Sequence, residues 1–150
     1  MMESVSQILD RKGYEICAIH PEAKVYEALE TMARKEVGAL LVIDEENICG
    51  IFSERDYARK VVLLGKSSKN LMVKEIMSTR IFYVTPEQSV DDCMALMIKR
   101  RIRHLPVIKN NKLLGVISIG DVVKAVIGEK EFMIDQLVHY ITGTASLGEN

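Results

Sequence analysis

The apolar positions of this chain change period in the same order along two successive stretches. Val25, Ala28, Leu29 and Met32 recur at the three- and four-residue spacing of one helix face, and Val90, Cys93, Met94 and Met97 do the same. After each helix come two short apolar runs, 39–44 with 48–52 and 104–108 with 113–117, parted by Asp44-Glu-Glu-Asn47 and by Lys109-Asn-Asn-Lys112. Runs of that length around a polar turn predict β-hairpins. Before each helix lies an extended piece ending in proline, Ile16-Cys-Ala-Ile-His-Pro21 and Ile81-Phe-Tyr-Val-Thr-Pro86, where the ring disfavours helix in the preceding residue. Short lead helices are expected over 5–10 and 73–77, and closing helices over 54–64 and 119–127.

Each stretch thus reads β-α-β-β-α, and the residue identities show a repeat. Asp56 and Asp121 lie 65 positions apart, and the same offset pairs Pro21 with Pro86, Glu22 with Glu87, Val42 with Val107, Gly50 with Gly115 and Ser53 with Ser118. Upstream of the prolines the register slips: Ile8 matches Ile76 at an offset of 68, which implies extra residues near 11–15. One unit so small cannot bury both faces of its sheet. The expected fold is therefore α/β (α+β), two β-α-β-β-α units packed sheet to sheet about a pseudo-two-fold axis, plus a C-terminal helix. The division read from the sequence is a first unit over 5–64, a solvated linker over 65–72, a second unit over 73–128, and a C-terminal helix with a frayed tail over 129–150. Phe132, Leu137, Val138 and Ile141 form an apolar stripe on that last helix, with no counterpart in either repeat.

Composition narrows the function classes. A chain of 150 residues with 48% hydrophobic and 27% charged residues carries enough apolar surface for a packed core. Its formal net charge of -1 removes the broad basic field that binding a phosphate backbone needs, so no nucleic-acid partner is expected. No apolar run reaches signal-peptide or membrane-span length, which predicts a cytoplasmic protein with no membrane partner. Cys17, Cys49 and Cys93 are odd in number, sit among apolar residues and show no C-x-x-C spacing; they read as buried reduced thiols. His20, His104 and His139 are too dispersed to predict a metal site.

The candidate chemistry lies where each hairpin turns into its closing helix, at Gly50-Ile-Phe-Ser-Glu-Arg-Asp56 and Gly115-Val-Ile-Ser-Ile-Gly-Asp121. A serine at a helix start with a carboxylate three residues on is a near variant of the capping box, worth about 0.5 to 2 kcal/mol as a cap alone. The same hydroxyl and carboxylate at the end of an apolar strand can hold a ribose, and a helix N-terminus favours an anion. Both readings stay open at this level. Arg103 and His104 start a strand, apart from the helix-borne Lys99 and Arg100, and a guanidinium fork suits a phosphate. A relay of Ser118, His104 and Asp121 is disfavoured because no Gly-x-Ser-x-Gly elbow occurs. With no P-loop or Gly-x-Gly-x-x-Gly either, neither an enzyme nor a catalytic residue is expected.

Arg103-His-Leu-Pro-Val107 followed by Gly115 to Asp121, and Gly38-Ala-Leu-Leu-Val42 followed by Gly50 to Asp56, resemble the two halves of a tandem CBS-domain pair, or Bateman module. The resemblance covers nearly the whole chain. In type it is similar to stand-alone bacterial modules related to the regulatory insert of inosine-monophosphate dehydrogenase. It implies a non-enzymatic regulatory module that binds an adenine nucleotide in clefts between the repeats and signals to a regulated protein that the sequence does not name. AMP or NAD is favoured, with ATP and ADP as further candidates, because Arg103, His104 and Arg55 suit phosphates better than the cationic S-adenosylmethionine. No metal is implied. By the resemblance, each motif aspartate meets ribose hydroxyls and each serine meets phosphate or ribose. Carried over by position, a first cleft would combine Ser53, Arg55 and Asp56 with Arg103 and His104, with Ile81, Phe82 and Tyr83 near the base. A second would combine Ser118 and Asp121 with Cys17, Ala18, Ile19 and His20 and with Gly38, Ala39 and Leu40. Gly38 and Ala39 stand where the other repeat has Arg103 and His104, so the first cleft is expected to bind an anionic ligand more tightly. The family also implies a homodimer, to which the C-terminal stripe would contribute. The competing readings are a ligand-free structural or oligomerisation module and, further off, a small hydrolase.

Overall fold

Both hairpins are present in the computed structural model, which describes residues 3–142. β2 (Ala39–Asp44) pairs antiparallel with β3 (Asn47–Ser53), and β4 (His104–Lys109) with β5 (Lys112–Ser118). The repeat extends to their irregularities. The register shifts between Val42 and Ile43 in one hairpin and between Val107 and Ile108 in the other. Glu45 and Asn110 hold left-handed backbone at φ 57 and 53 in the two turns. Such a bulge tightens the local twist of a strand pair. A third strand, β1 (Ala18–Ile19), runs parallel to β2, and its repeat mate is a single parallel bridge from Val84 to Val107.

Helices α2 (Val25–Lys35) and α5 (Val90–Arg100) follow the two prolines and bury the faces their periodicity marks: Val25, Ala28 and Met32, and Val90, Cys93 and Met97. The first closing helix is irregular. α3 (Glu54–Tyr57) passes directly into a π-helical turn over Ala58–Val62. The second runs straight on as α6 (Ile119–Thr142), so the helices expected separately over 119–127 and from 129 are one. A helix-interior glycine costs about 1 kcal/mol relative to alanine without ending the helix, and a side chain at Gly128 would meet nothing within 4 Å. The frayed stretch expected from Gly143 lies outside the described residues.

The lead helices α1 (Val5–Lys12) and α4 (Val73–Ile76) reorganise the repeats into two compact units. Glu15–Phe82 forms a central unit, and the chain up to Tyr14 joins the chain from Tyr83 onward in a terminal unit. Each lead helix therefore packs with the other repeat's hairpin. Its first N–H groups, which no helix can satisfy internally, find loop carbonyls by matching routes. Val5 and Ser6 donate to Gln88 and Pro86 at 2.8 and 2.9 Å, while Val73 and Lys74 donate to Ala23 and Pro21 at 2.8 and 2.9 Å. In the central unit Val25, Ala28, Leu40, Val42, Phe52, Val61, Val73 and Ile76 share one core. In the terminal unit Val5, Ile8 and Leu9 are buried, as are Val84, Leu105, Val107, Ile117 and Val122.

The glycine that opens each motif is explained by this packing. A Cβ at Gly50 would lie 2.6 Å from the Ser78 carbonyl oxygen, and one at Gly115 would lie 2.9 Å from Leu9 Cδ2. The residues just after α4 rest on the strand at Gly50, and the Leu9 side chain of α1 rests on it at Gly115. The stretch read as linker belongs to the central unit: Val25 N–H donates to Leu71 O at 2.9 Å and Tyr26 N–H to Ser68 O at 3.0 Å, while Lys69 stands 5.3 Å over the Tyr26 ring.

Candidate functional site

At the start of α3, Ser53 and Asp56 form a reciprocal capping pair. Asp56 N–H donates to Ser53 Oγ at 3.3 Å, and Asp56 Oδ2 accepts from Ser53 N–H at 3.0 Å and from its hydroxyl at 3.1 Å. At the start of α6, Asp121 N–H donates to Ser118 Oγ at 3.2 Å, and Asp121 Oδ2 accepts from Ser118 N–H at 2.8 Å. Local capping thus accounts for the spacing of serine and carboxylate. It does not account for their surroundings. Ser89 and Asp92 make the same box at the start of α5, with Asp92 exposed. The Asp56 and Asp121 side chains are only 14% and 16% exposed, and each is held by a lysine.

The two lysines arrive by different routes. Lys60, on the π-helical turn, places Nζ 3.1 Å from Asp56 Oδ1 and 3.0 Å from the Ile76 carbonyl at the end of α4. Lys12, the last residue of α1, places Nζ 2.6 Å from Asp121 Oδ2 and 2.9 Å from the Val116 carbonyl on β5. Neither has a lysine as its repeat mate: the position 65 after Lys60 is Ala125, and 68 after Lys12 is Arg80. Neither lysine was singled out from the sequence. Lys60 was legible as an Asp-x-x-x-Lys pair on one helix face. Lys12 was signalled only by the slip of the repeat offset, because the extra residues of the first copy extend α1 beyond the length of α4.

His104 completes the terminal unit's group as the register partner of Ser118 across β4 and β5, and Ile119 N–H donates to the Arg103 carbonyl at 2.8 Å. Burial holds the His104 pKa below 6.5; Lys12 lowers it further, Asp121 opposes, and Arg103 lowers it again. The imidazole is therefore neutral at neutral pH, and the cation beside Asp121 is Lys12. Burial pushes the Asp121 carboxyl up, but the hydrogen bond from Lys12 and those from Ser118 outweigh it and hold the carboxyl below 3.8.

The residues expected together in the first cleft divide between the units. Ser53, Arg55, Asp56, Ile81 and Phe82 belong to the central unit, and Tyr83, Arg103 and His104 to the terminal one. Of the second set, Cys17, Ala18, Ile19, His20, Gly38, Ala39 and Leu40 are central, while Ser118 and Asp121 are terminal. Within the central unit Ala39 is the register partner of Ser53, and Glu54 N–H donates to Gly38 O at 3.1 Å. The Leu40 side chain is core, and Cys17 and Ile19 pack against that core. His20 Nδ1 accepts from Glu22 N–H at 3.1 Å, and Nε2 lies 3.3 Å from Asp44. Among the described residues no cluster of three or more His, Cys, Asp or Glu is arranged to hold a metal ion, and no helix is long and apolar enough to cross a membrane.

The CBS-domain family model matches residues 5–63 and again 73–128. This chain belongs to the CBS-domain family. A CBS-domain protein of Burkholderia ambifaria is 53% identical in sequence and superposes with a TM-score of 0.82, over 84% of this chain and 95% of that one. The structure of CBS-domain protein NE2398 is 44% identical, with a TM-score of 0.82 over 85% of this chain and 99% of that one. The mitochondrial CBS domain-containing protein CBSX3 of Arabidopsis thaliana is 44% identical over 124 residues, which span 79% of this chain and 60% of that longer protein. The tandem of two CBS repeats is thus shared with solved relatives. The two matched segments alternate with the compact units, because each CBS repeat lends its lead helix to the unit built on the other repeat's hairpin.

Proposed function

We propose that this CBS pair is a non-enzymatic regulatory module that binds an adenine nucleotide, AMP or NAD before ATP or ADP, and passes its occupancy to a regulated protein. The observation that carries the reading is the half-buried Ser–Asp pair at each strand-to-helix turn, with a lysine ammonium on its carboxylate. A carboxylate fixed by a serine N–H suits a ribose diol, and a nearby ammonium suits a phosphate. The CBS pair of protein MJ0100, 21% identical with a TM-score of 0.75, has been solved in complex with 5'-methylthioadenosine and S-adenosylmethionine, so an adenosine moiety is accommodated by that protein's version of the fold. Adenine nucleotides turn over in the cytoplasm, where this reading places the protein.

Assembly is part of the reading. Phe132, Leu137, Val138 and Ile141 on α6 are exposed and apolar, and we assign this stripe to a homodimer contact. A CBS-CP12 protein of bloom-forming cyanobacteria, 31% identical, is hexameric, so assembly differs among CBS proteins.

Thermal unfolding in AMP, ADP, ATP, NAD and S-adenosylmethionine tests the nucleotide reading, since a ligand that prefers the folded state raises the apparent stability. Mass spectrometry of ligand released from the purified protein gives an independent check. An upward shift with the nucleotides is expected. A flat response to all five, with no released ligand, would replace the proposal by the oligomerisation module that the exposed stripe favours.

A further inference from the structure

We propose that Lys12 is the residue that makes the Asp121 site select phosphorylated adenosine ligands over neutral ones. The proposal rests on the nucleotide reading above and deepens it. The Asp121 carboxylate is mostly withdrawn from solvent, and an unpaired carboxylate there would repel a phosphate attached to the ribose it holds. Lys12 cancels that charge at 2.6 Å while the Val116 carbonyl fixes its ammonium at 2.9 Å, so the cation is in place before any ligand arrives. Arg103 then leaves the group with a net positive charge, since His104 is neutral.

Two further observations separate this from an incidental surface pair. The repeat does not supply the lysine: Ala125 occupies the position that corresponds to Lys60, yet Asp121 has its ammonium all the same, delivered from α1. Moreover, Lys12 Nζ and Ser118 N–H both donate to the same Asp121 oxygen, Oδ2, whereas Lys60 engages Asp56 Oδ1 and Ser53 engages Oδ2. Asp121 can therefore accept a ribose hydroxyl at Oδ1 while Lys12 stays where it is. At Asp56 a ribose must compete with Lys60.

The test follows the His104 ring resonances by NMR during titration with AMP and, separately, adenosine, so that occupancy is read at this site. In the natural protein AMP binds at least about tenfold more tightly than adenosine, the equivalent of one opposite-charge contact. Lys12→Met weakens AMP by about tenfold or more and leaves adenosine within about threefold, and Lys12→Arg restores the preference. Lys12→Gln serves the same comparison should Lys12→Met not fold. Equal weakening of both ligands would make Lys12 merely structural, and tightening of both would make it an occluding group; either overturns the proposal. If the natural protein prefers adenosine or shows no preference, the selection is refuted while the nucleoside site stands. If neither ligand moves His104, the nucleotide reading of Asp121 fails and takes this inference with it.

Discussion

Lys12 Nζ and Asp121 Oδ2 lie 2.6 Å apart although 109 residues separate them along the chain. The pair ties the end of α1 to the start of α6, and it gives the acid response of the fold a sign. Asp121 is held below its ordinary value, so in acid the unfolded chain takes up this proton first. The stabilisation is complete above about pH 4 and is lost as the pH falls through the folded-state value. Urea titrations between pH 7 and pH 3 should show the natural protein losing stability more steeply below about pH 4 than Asp121→Asn. Parallel curves would refute the linkage.

His104 titrates below 6.5 in the folded protein and near it in the unfolded chain. Stability therefore also declines as the pH drops from about 6.5 towards the folded value, because the unfolded chain binds that proton first. Two substitutions should move the His104 pKa in opposite directions by NMR: Lys12→Met raises it by removing a cation, and Asp121→Asn lowers it by removing an anion. Movement in the same direction would contradict the geometry of the group.

The paired glycines should differ in what an added methyl costs. Gly50→Ala drives a Cβ into the Ser78 carbonyl, which is itself hydrogen-bonded to Ile51 N–H at 2.9 Å, and should cost about 3 kcal/mol. Gly115→Ala meets only the end of the Leu9 side chain, which can rotate, and should cost about 1 kcal/mol. Chemical denaturation measures both, and a larger loss at Gly115 would reverse the argument.

Cys93 is buried, and burial with the adjacent Asp92 charge pushes its thiol up to about 11. In a native Ellman assay Cys17 and Cys49, which are partly exposed, should react first. Cys93 should react only after denaturant is added.

A stop after Gly128 removes the exposed stripe but, among the described residues, none of the buried ones, the last of which is Ala125. Light scattering should show the proposed homodimer falling to monomer, with circular dichroism retained for the rest. A truncated protein that remains dimeric would move the contact elsewhere.

The strands were legible to within one residue, since a hairpin's alternation and its polar turn are both written locally in β2, β3, β4 and β5. The capping pairs were legible for the same reason. What escaped depended on partners distant in sequence. Gly50 and Gly115 read as part of a ligand motif, yet Ser78 and Leu9 explain them, and nothing in a repeat offset says which hairpin a lead helix will join. Lys12 escaped because repeat logic looks for the same residue at the same place, whereas here one charge is supplied from two non-equivalent positions. The join of the closing and tail helices escaped because Gly128 reads as a break, although the fold places nothing there that demands one.

The exchange of lead helices also sets an order of events on the ribosome. The central unit is a single uninterrupted stretch and has all its core residues once Phe82 has emerged. The terminal unit has Val5, Ile8 and Leu9 at one end and Val107, Ile117 and Val122 at the other. Its first helix must wait, apolar face uncovered, while the central unit is synthesised, and closure over that long loop is the slower step. A break between the two sequence repeats would therefore not yield two half-size domains. Each half would carry a lead helix without its hairpin and a hairpin without its lead helix.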